Sequence, residues 1–112
     1  MQVPDPDDPE FVERAIGWLL DTGPGDWRLT PALRDQPVLL AFRARADVRA
    51  RIEGARAAYA SARAELADSI APTDLAAFLA ALEAEGARLL ALEREVGLVE
   101  EALRGRRWRP RL

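Results

Sequence analysis

Leu75, Leu82, Leu89, Val96 and Leu103 recur every seven residues without a miss, and this repeat constrains the fold of the chain more than any other feature. An apolar residue at each seventh position keeps one stripe on one face of a helix, and a strict seven favours a left-handed supercoil. Phe78, Leu92 and Val99 occupy three of the intervening d-type positions, while Glu85 interrupts the fourth. The pattern predicts a helix over residues 73–104, with Thr73 as its N-cap. Such a stripe needs an apolar partner. Residues 36–69 supply one, because Val48, Ala55 and Ala62 interleave with Ile52, Tyr59 and Leu66 at three-four spacing. The segment "FRARADVRARI" inside it alternates in polarity like a strand, yet it is built of Ala and Arg, which are strong helix formers. "DSIAPTD" turns the chain between the two helices. The fold class read from these features is all-α: a long antiparallel, coiled-coil-like helical hairpin.

Charge supports the pairing. Residues 41–70 hold six Arg against four acids, and residues 71–103 hold two Arg against seven acids. Folding the chain about residue 71 or 72 places Arg49 near Glu93 and Arg51 within a turn of Glu95, flanking the seam. Exposed pairs of this kind contribute only ~0.2–1 kcal/mol each, so they specify register more than stability. Ahead of the hairpin, residues 1–7 read as a flexible lead and residues 8–21 as a short helix, with Asp8 at the N-cap and Pro9 at the first helical position. "DTGPGDW" stops that helix, and residues 22–35 form a connector with one turn starting at Thr30-Pro31. Residues 105–112 are a basic tail. All of this reads as a single helical domain over residues 1–112, its short N-terminal helix docked against the hairpin.

A two-stranded hairpin needs one apolar stripe per helix, and these helices carry more. Ala50, Ala57 and Ala64 line the face opposite the seam on the first long helix. Leu79, Gly86, Leu90 and Gly97 form a second row beside the seam on the other, with Leu98 farther round. Left bare, such rows expose an unusually large apolar patch. These eight residues are the expected oligomer interface of a homodimer, a bundle of four long helices.

Composition excludes much chemistry. The chain has no histidine, cysteine or lysine, so the usual general bases, thiol nucleophiles and Schiff-base amines are missing. Carboxylates at Glu83 with Glu85, Glu93 with Glu95, and Glu100 with Glu101 are one or two residues apart, and on a helix such pairs do not face the same way. Glu85, the interruption in the stripe, is expected to mark register or to reach Arg88. "TGPGDW" lacks the lysine and the hydroxyl of a phosphate-binding loop and follows a helix rather than a strand; it is read as the turn that lets Trp18 and Trp27 lie against the hairpin. No enzyme activity, metal site, cofactor or small-molecule substrate is expected. No apolar run approaches the roughly 20 residues of a membrane span, and the acidic, proline-rich start "MQVPDPDDPE" is unlike a signal peptide. The expected location is the cytoplasm. All 16 basic residues are arginine and asparagine is absent, a bias that GC-rich codons produce and that points to a bacterial chain.

The end of the chain opposes its overall charge of −3: Arg104, Arg106, Arg107, Arg109 and Arg111 surround Trp108. Arginine with an interleaved aromatic suits phosphate contact and base stacking. The first 40 residues, however, hold eight acids against three Arg, and an N-terminal helix folded back onto that end of the hairpin would neutralise the tail. Charge balance within the protein is favoured over nucleic acid or another acidic partner. No residue pattern resembles a particular family closely enough to name it. The function expected from the sequence is a non-enzymatic protein-interaction module: a small dimeric adaptor, scaffold or regulator with itself and another protein as partners. A nucleic-acid-binding accessory protein using the tail is the rival reading.

Overall fold

The computed structural model describes residues 2–105, and every regular element among them is helical. Helix α1 spans Phe11–Thr22, a 3-10 turn spans Gly25–Leu29, and α2 is the short Pro31–Asp35. Two long helices follow, α3 over Pro37–Glu65 and α4 over Pro72–Leu103. They pack against each other antiparallel. The chain resolves into two compact units: residues 48–92, and residues 1–47 with 93–112.

Element boundaries depart from the sequence reading in three places, each for a local reason. Asp8 and Pro9 open a turn rather than α1: Asp8 Oδ1 accepts the Glu10 N–H at 2.8 Å, and Glu10 takes the N-cap position. An aspartate that bonds the backbone two residues on favours a turn over helix. α3 ends at Glu65 instead of Ser69, because the Ser69 and Ile70 N–H groups both close back on the Leu66 carbonyl. Proline at 72 then disfavours helical backbone at Ala71. α4 starts with Pro72 at its first position, so Thr73 lies inside the first turn and Ala71 accepts the first helical bond, from Leu75.

In the unit of residues 48–92, the α3 side of the seam is as expected: Ile52 and Ala62 are buried, and Ala55, Tyr59 and Leu66 half-buried. On α4 the a-type row points inward, Leu89 buried and Leu75 and Leu82 half-buried. The d-type row is mixed, with Glu85 and Leu92 half-buried. Phe78 is 46% exposed, whereas Leu79 and Gly86, on the other flank of the stripe, are half-buried. The inward face therefore centres on the a-type row, with d- and e-type positions on its flanks. Tyr59 Oη donates to Glu83 Oε1 at 3.0 Å across the two helices, a pairing centred on residue 71.

The other unit holds the larger core. Phe11, Ala15, Ile16, Trp18, Leu19 and Leu20 of α1 are buried, together with Leu40, Ala41 and Ala44 of α3 and Val96 and Val99 of α4. Here α4 buries a wider arc, because α1 and the N-terminal lead share the unit with the ends of the two long helices. The lead takes part in packing: Val3, Pro4 and Pro6 are half-buried and line a cavity of about 50 Å³ with Leu98 and Val99. Trp18 is core, as expected, and the half-buried Trp27 lies over Gly23. A Cβ at Gly23 would sit 2.2 Å from Trp27 Cζ3, so this turn needs glycine for its close approach and not for its backbone angles.

Candidate interaction surface

In the unit of residues 48–92, the shortfall of side chains along the seam leaves an open groove between α3 and α4. Ile52, Ala55 and Tyr59 form one wall, and Leu82, Gly86 and Leu90 the other; Arg56 and Glu83 sit on opposite banks. The groove is about 310 Å³ and its lining is mostly apolar. Gly86 lies in its lining, and a Cβ there would meet open space rather than a neighbouring element. A glycine in a helix interior is destabilising by roughly 0.5–1 kcal/mol relative to alanine, and the packing of this chain gives no return for it.

Polar groups around the groove are already engaged. Glu83 accepts the Tyr59 hydroxyl, and this hydrogen bond to a carboxylate raises the Tyr59 pKa above its ordinary value. Arg56 pairs with Glu53 at 3.0 Å. Glu85 accepts from Arg88 Nε at 3.1 Å and from Nη2 at 2.6 Å, the Arg88 contact expected from sequence. That hydrogen bonding holds the Glu85 carboxyl below the usual carboxylate range. Pre-paired banks leave the apolar floor as the feature available to a partner.

Of the eight interface residues expected from sequence, the structure brings only Gly86 and Leu90 into this groove. Leu90 is 42% exposed. Leu79 is half-buried on the same flank; Ala50, Ala57 and Ala64 are exposed along α3 and do not line it. Gly97 and Leu98 belong to the other unit, where Leu98 meets the N-terminal lead. The spacing of Ile52, Ala55 and Tyr59 places all three in the seam. One edge of each faces the groove, and spacing alone carries no signal for that.

The second polar feature lies in the other unit. Glu100 is 5% exposed among apolar neighbours, the one buried charged residue among those described. Its Oε1 pairs with Arg45 Nη1 of α3 at 3.3 Å, and its Oε2 with Arg104 Nη2 one turn along α4 at 3.0 Å. A buried carboxylate is tolerated only when paired, and here two guanidinium groups share the task. Arg104, expected as part of the basic tail surface, is thus tied to Glu100. Arg106, Arg107, Trp108, Arg109 and Arg111 lie outside the described residues. At the other end of the chain, Asp8 and Glu10 pair with Arg14 at 2.8 and 3.3 Å, and Asp21 pairs with Arg28.

Among the described residues no three His, Cys, Asp or Glu side chains come together as a metal site would need, and no helix is long and apolar enough to cross a membrane. No protein-family model, no curated protein and no solved structure matches the chain.

Proposed function

We propose that this chain is a non-enzymatic protein-interaction module that works as a homodimer, with the groove between α3 and α4 as the dimer seat. The observation that carries this reading is the apolar groove lined by Ile52, Ala55, Tyr59, Leu82, Gly86 and Leu90 in a unit whose own core is thin. Among the described residues of that unit, Val48, Ile52, Ala62 and Leu89 are the buried apolar side chains. A helix pair of that size rarely holds itself together without a further staple, and a second copy is the commonest one.

Charge selects the second copy and its orientation. Within this unit the α3 segment, residues 48–65, has four Arg against two Glu; the α4 segment, residues 72–92, has three acids against one Arg. The two helix segments that flank the groove are therefore of opposite net charge. A two-fold axis running along the groove sets α3 of one copy over α4 of the other, so every facing bank is complementary. A two-fold axis across the groove would stack like on like. Complementary potentials of this sort fix orientation more than they add affinity. Dimerisation in this way leaves the exposed row Ala50, Ala57 and Ala64 outward for another protein.

Sedimentation at micromolar concentration tests the reading. The intact chain is expected at twice 12.4 kDa. Leu90→Glu is expected to give a helical monomer, since the side chain is 42% exposed in the single chain and a carboxylate there meets water until a partner arrives. Gly86→Ala separates the alternatives in a second way. Where a partner approaches Gly86, alanine weakens association; where none does, it stabilises the helix by roughly 0.5–1 kcal/mol and leaves the mass unchanged. An intact chain sedimenting as a monomer refutes the proposal.

A further inference from the structure

Residues 2–7 lie against two helices of their own unit, and the fit is loose on both sides. Val3, Pro4 and Pro6 face a space of about 50 Å³ shared with Leu98 and Val99 of α4. Val3 and Pro4 also line a groove of about 450 Å³ with Gly17 and Trp18 of α1. A Cβ on Gly17 would meet nothing within 4 Å. Along the lead, Val3, Pro4 and Pro6 are half-buried, whereas Asp5 and Asp7 are exposed. We propose that the α1 and α4 surface under the lead is a peptide-docking site, which takes a proline-containing segment of alternating apolar and acidic residues, and that the lead is its built-in occupant, a strap that keeps other such segments out.

The segment seated there defines the ligand class. Its apolar side chains share their surroundings with Trp18 and Val99, which are 5% and 2% exposed, so an apolar floor is what it covers. Proline-containing segments docked on aromatic-lined grooves are a recurring mode of peptide recognition. The prolines have φ fixed before docking, so less conformational freedom is lost when the segment is ordered. One charged contact accompanies the apolar ones: Asp8 Oδ2 pairs with Arg14 Nε at 2.8 Å. That pair is exposed enough to orient a segment more than to hold it. Asp21 of the same lining is already paired with Arg28, so it is not a contact for the ligand. The lead's own hydrogen bonds are local. Asp5 Oδ1 accepts the Asp7 N–H at 2.9 Å, and the Asp5 carbonyl accepts the Asp8 N–H at 3.0 Å. Among the described residues, residues 2–7 exchange no backbone hydrogen bond with α1 or α4. A segment held by a few apolar side chains over incompletely filled space opens at the low end of the stability range, as a displaceable strap must.

The probe is a fluorescein-labelled peptide of residues 2–9, and anisotropy reads its binding. A full chain carrying Val3→Ser and Pro4→Gly is expected to bind it roughly ten-fold or more tightly than the intact chain does. In the intact chain the lead competes at an effective concentration on the order of millimolar. A peptide with the same two substitutions should bind neither protein. Arg14→Gln in the opened chain should weaken binding by no more than about five-fold, the loss of one exposed pair. A second measurement needs no substitution. Unlabelled peptide at roughly millimolar concentration, titrated into the isotope-enriched intact chain, should shift the amide signals of Gly17, Trp18, Leu98 and Val99. Those of Val3, Asp5 and Asp7 should move toward the values of the free peptide. Equal affinity of the intact and opened chains overturns the proposal, as does binding to neither or shifts confined to other residues. Lead signals that move when the protein concentration alone is raised assign the site to a second copy's lead, and overturn the strap as well. The titration can be repeated in Leu90→Glu, whose substitution lies in the other unit, so this reading and the dimer reading fail separately.

Discussion

Leu89→Asp is expected to unfold the chain at room temperature, or to lower its melting temperature by more than ~15 °C. Leu89 is 2% exposed and belongs to the row that faces α3. Truncating a buried leucine costs about 2–5 kcal/mol in its own right. Aspartate adds a carboxylate that must be desolvated without a partner, or protonated at a further cost. A sum above about 4 kcal/mol consumes most of the roughly 5–15 kcal/mol by which a domain of this size is stable. At ~4 °C or more per kcal/mol the melting shift follows. Circular dichroism at 222 nm during a thermal ramp reads it. The neighbour gives the contrast: Leu90→Glu should keep its helix signal and lose only mass in the centrifuge. If Leu89→Asp melts within a few degrees of the parent, the packing of α3 on α4 described above is wrong.

The second large effect is expected at Glu100. Replacing it with alanine removes the acceptor shared by Arg45 and Arg104 and leaves a gap at a position only 5% exposed. Breaking a fully buried ion pair costs about 3–5 kcal/mol. The two arginine side chains are 40% and 38% exposed and can turn toward water, so the loss here should be about 2–3 kcal/mol. Arg45→Met with Glu100→Leu removes the pair that joins α3 to α4 and fills the space; it should recover most of that loss, because apolar replacements of buried pairs are often neutral or better. Urea denaturation of the three proteins decides. A double variant no more stable than Glu100→Ala would show that the cluster contributes more than charge compensation.

Much of this architecture is written in side-chain periodicity. The row of Leu75, Leu82, Leu89, Val96 and Leu103 determines a long helix with one apolar stripe, and Val48, Ile52, Ala55, Tyr59 and Ala62 determine its partner. These are local consequences of 3.6 residues per turn, and they hold whatever the helices pack against. Register was legible too: a fold-back about residue 71 or 72 agrees with Tyr59–Glu83, centred on 71, and with Arg45–Glu100, centred on 72.5. The reach of Arg88 to Glu85 follows from three-residue spacing on one helix. Tertiary structure decided what periodicity leaves degenerate. Phe78 and Val99 hold equivalent heptad positions, yet one is 46% exposed and the other 2%, because α1 and the lead share a unit with only the second of them. Glu100 and Glu101 are the same residue type side by side on one helix; only the placement of Arg45 and the surrounding core makes one of them a buried anchor and leaves the other in water. The groove at Gly86 is the extreme case, since an empty volume is a property of neighbouring elements and no single residue encodes it.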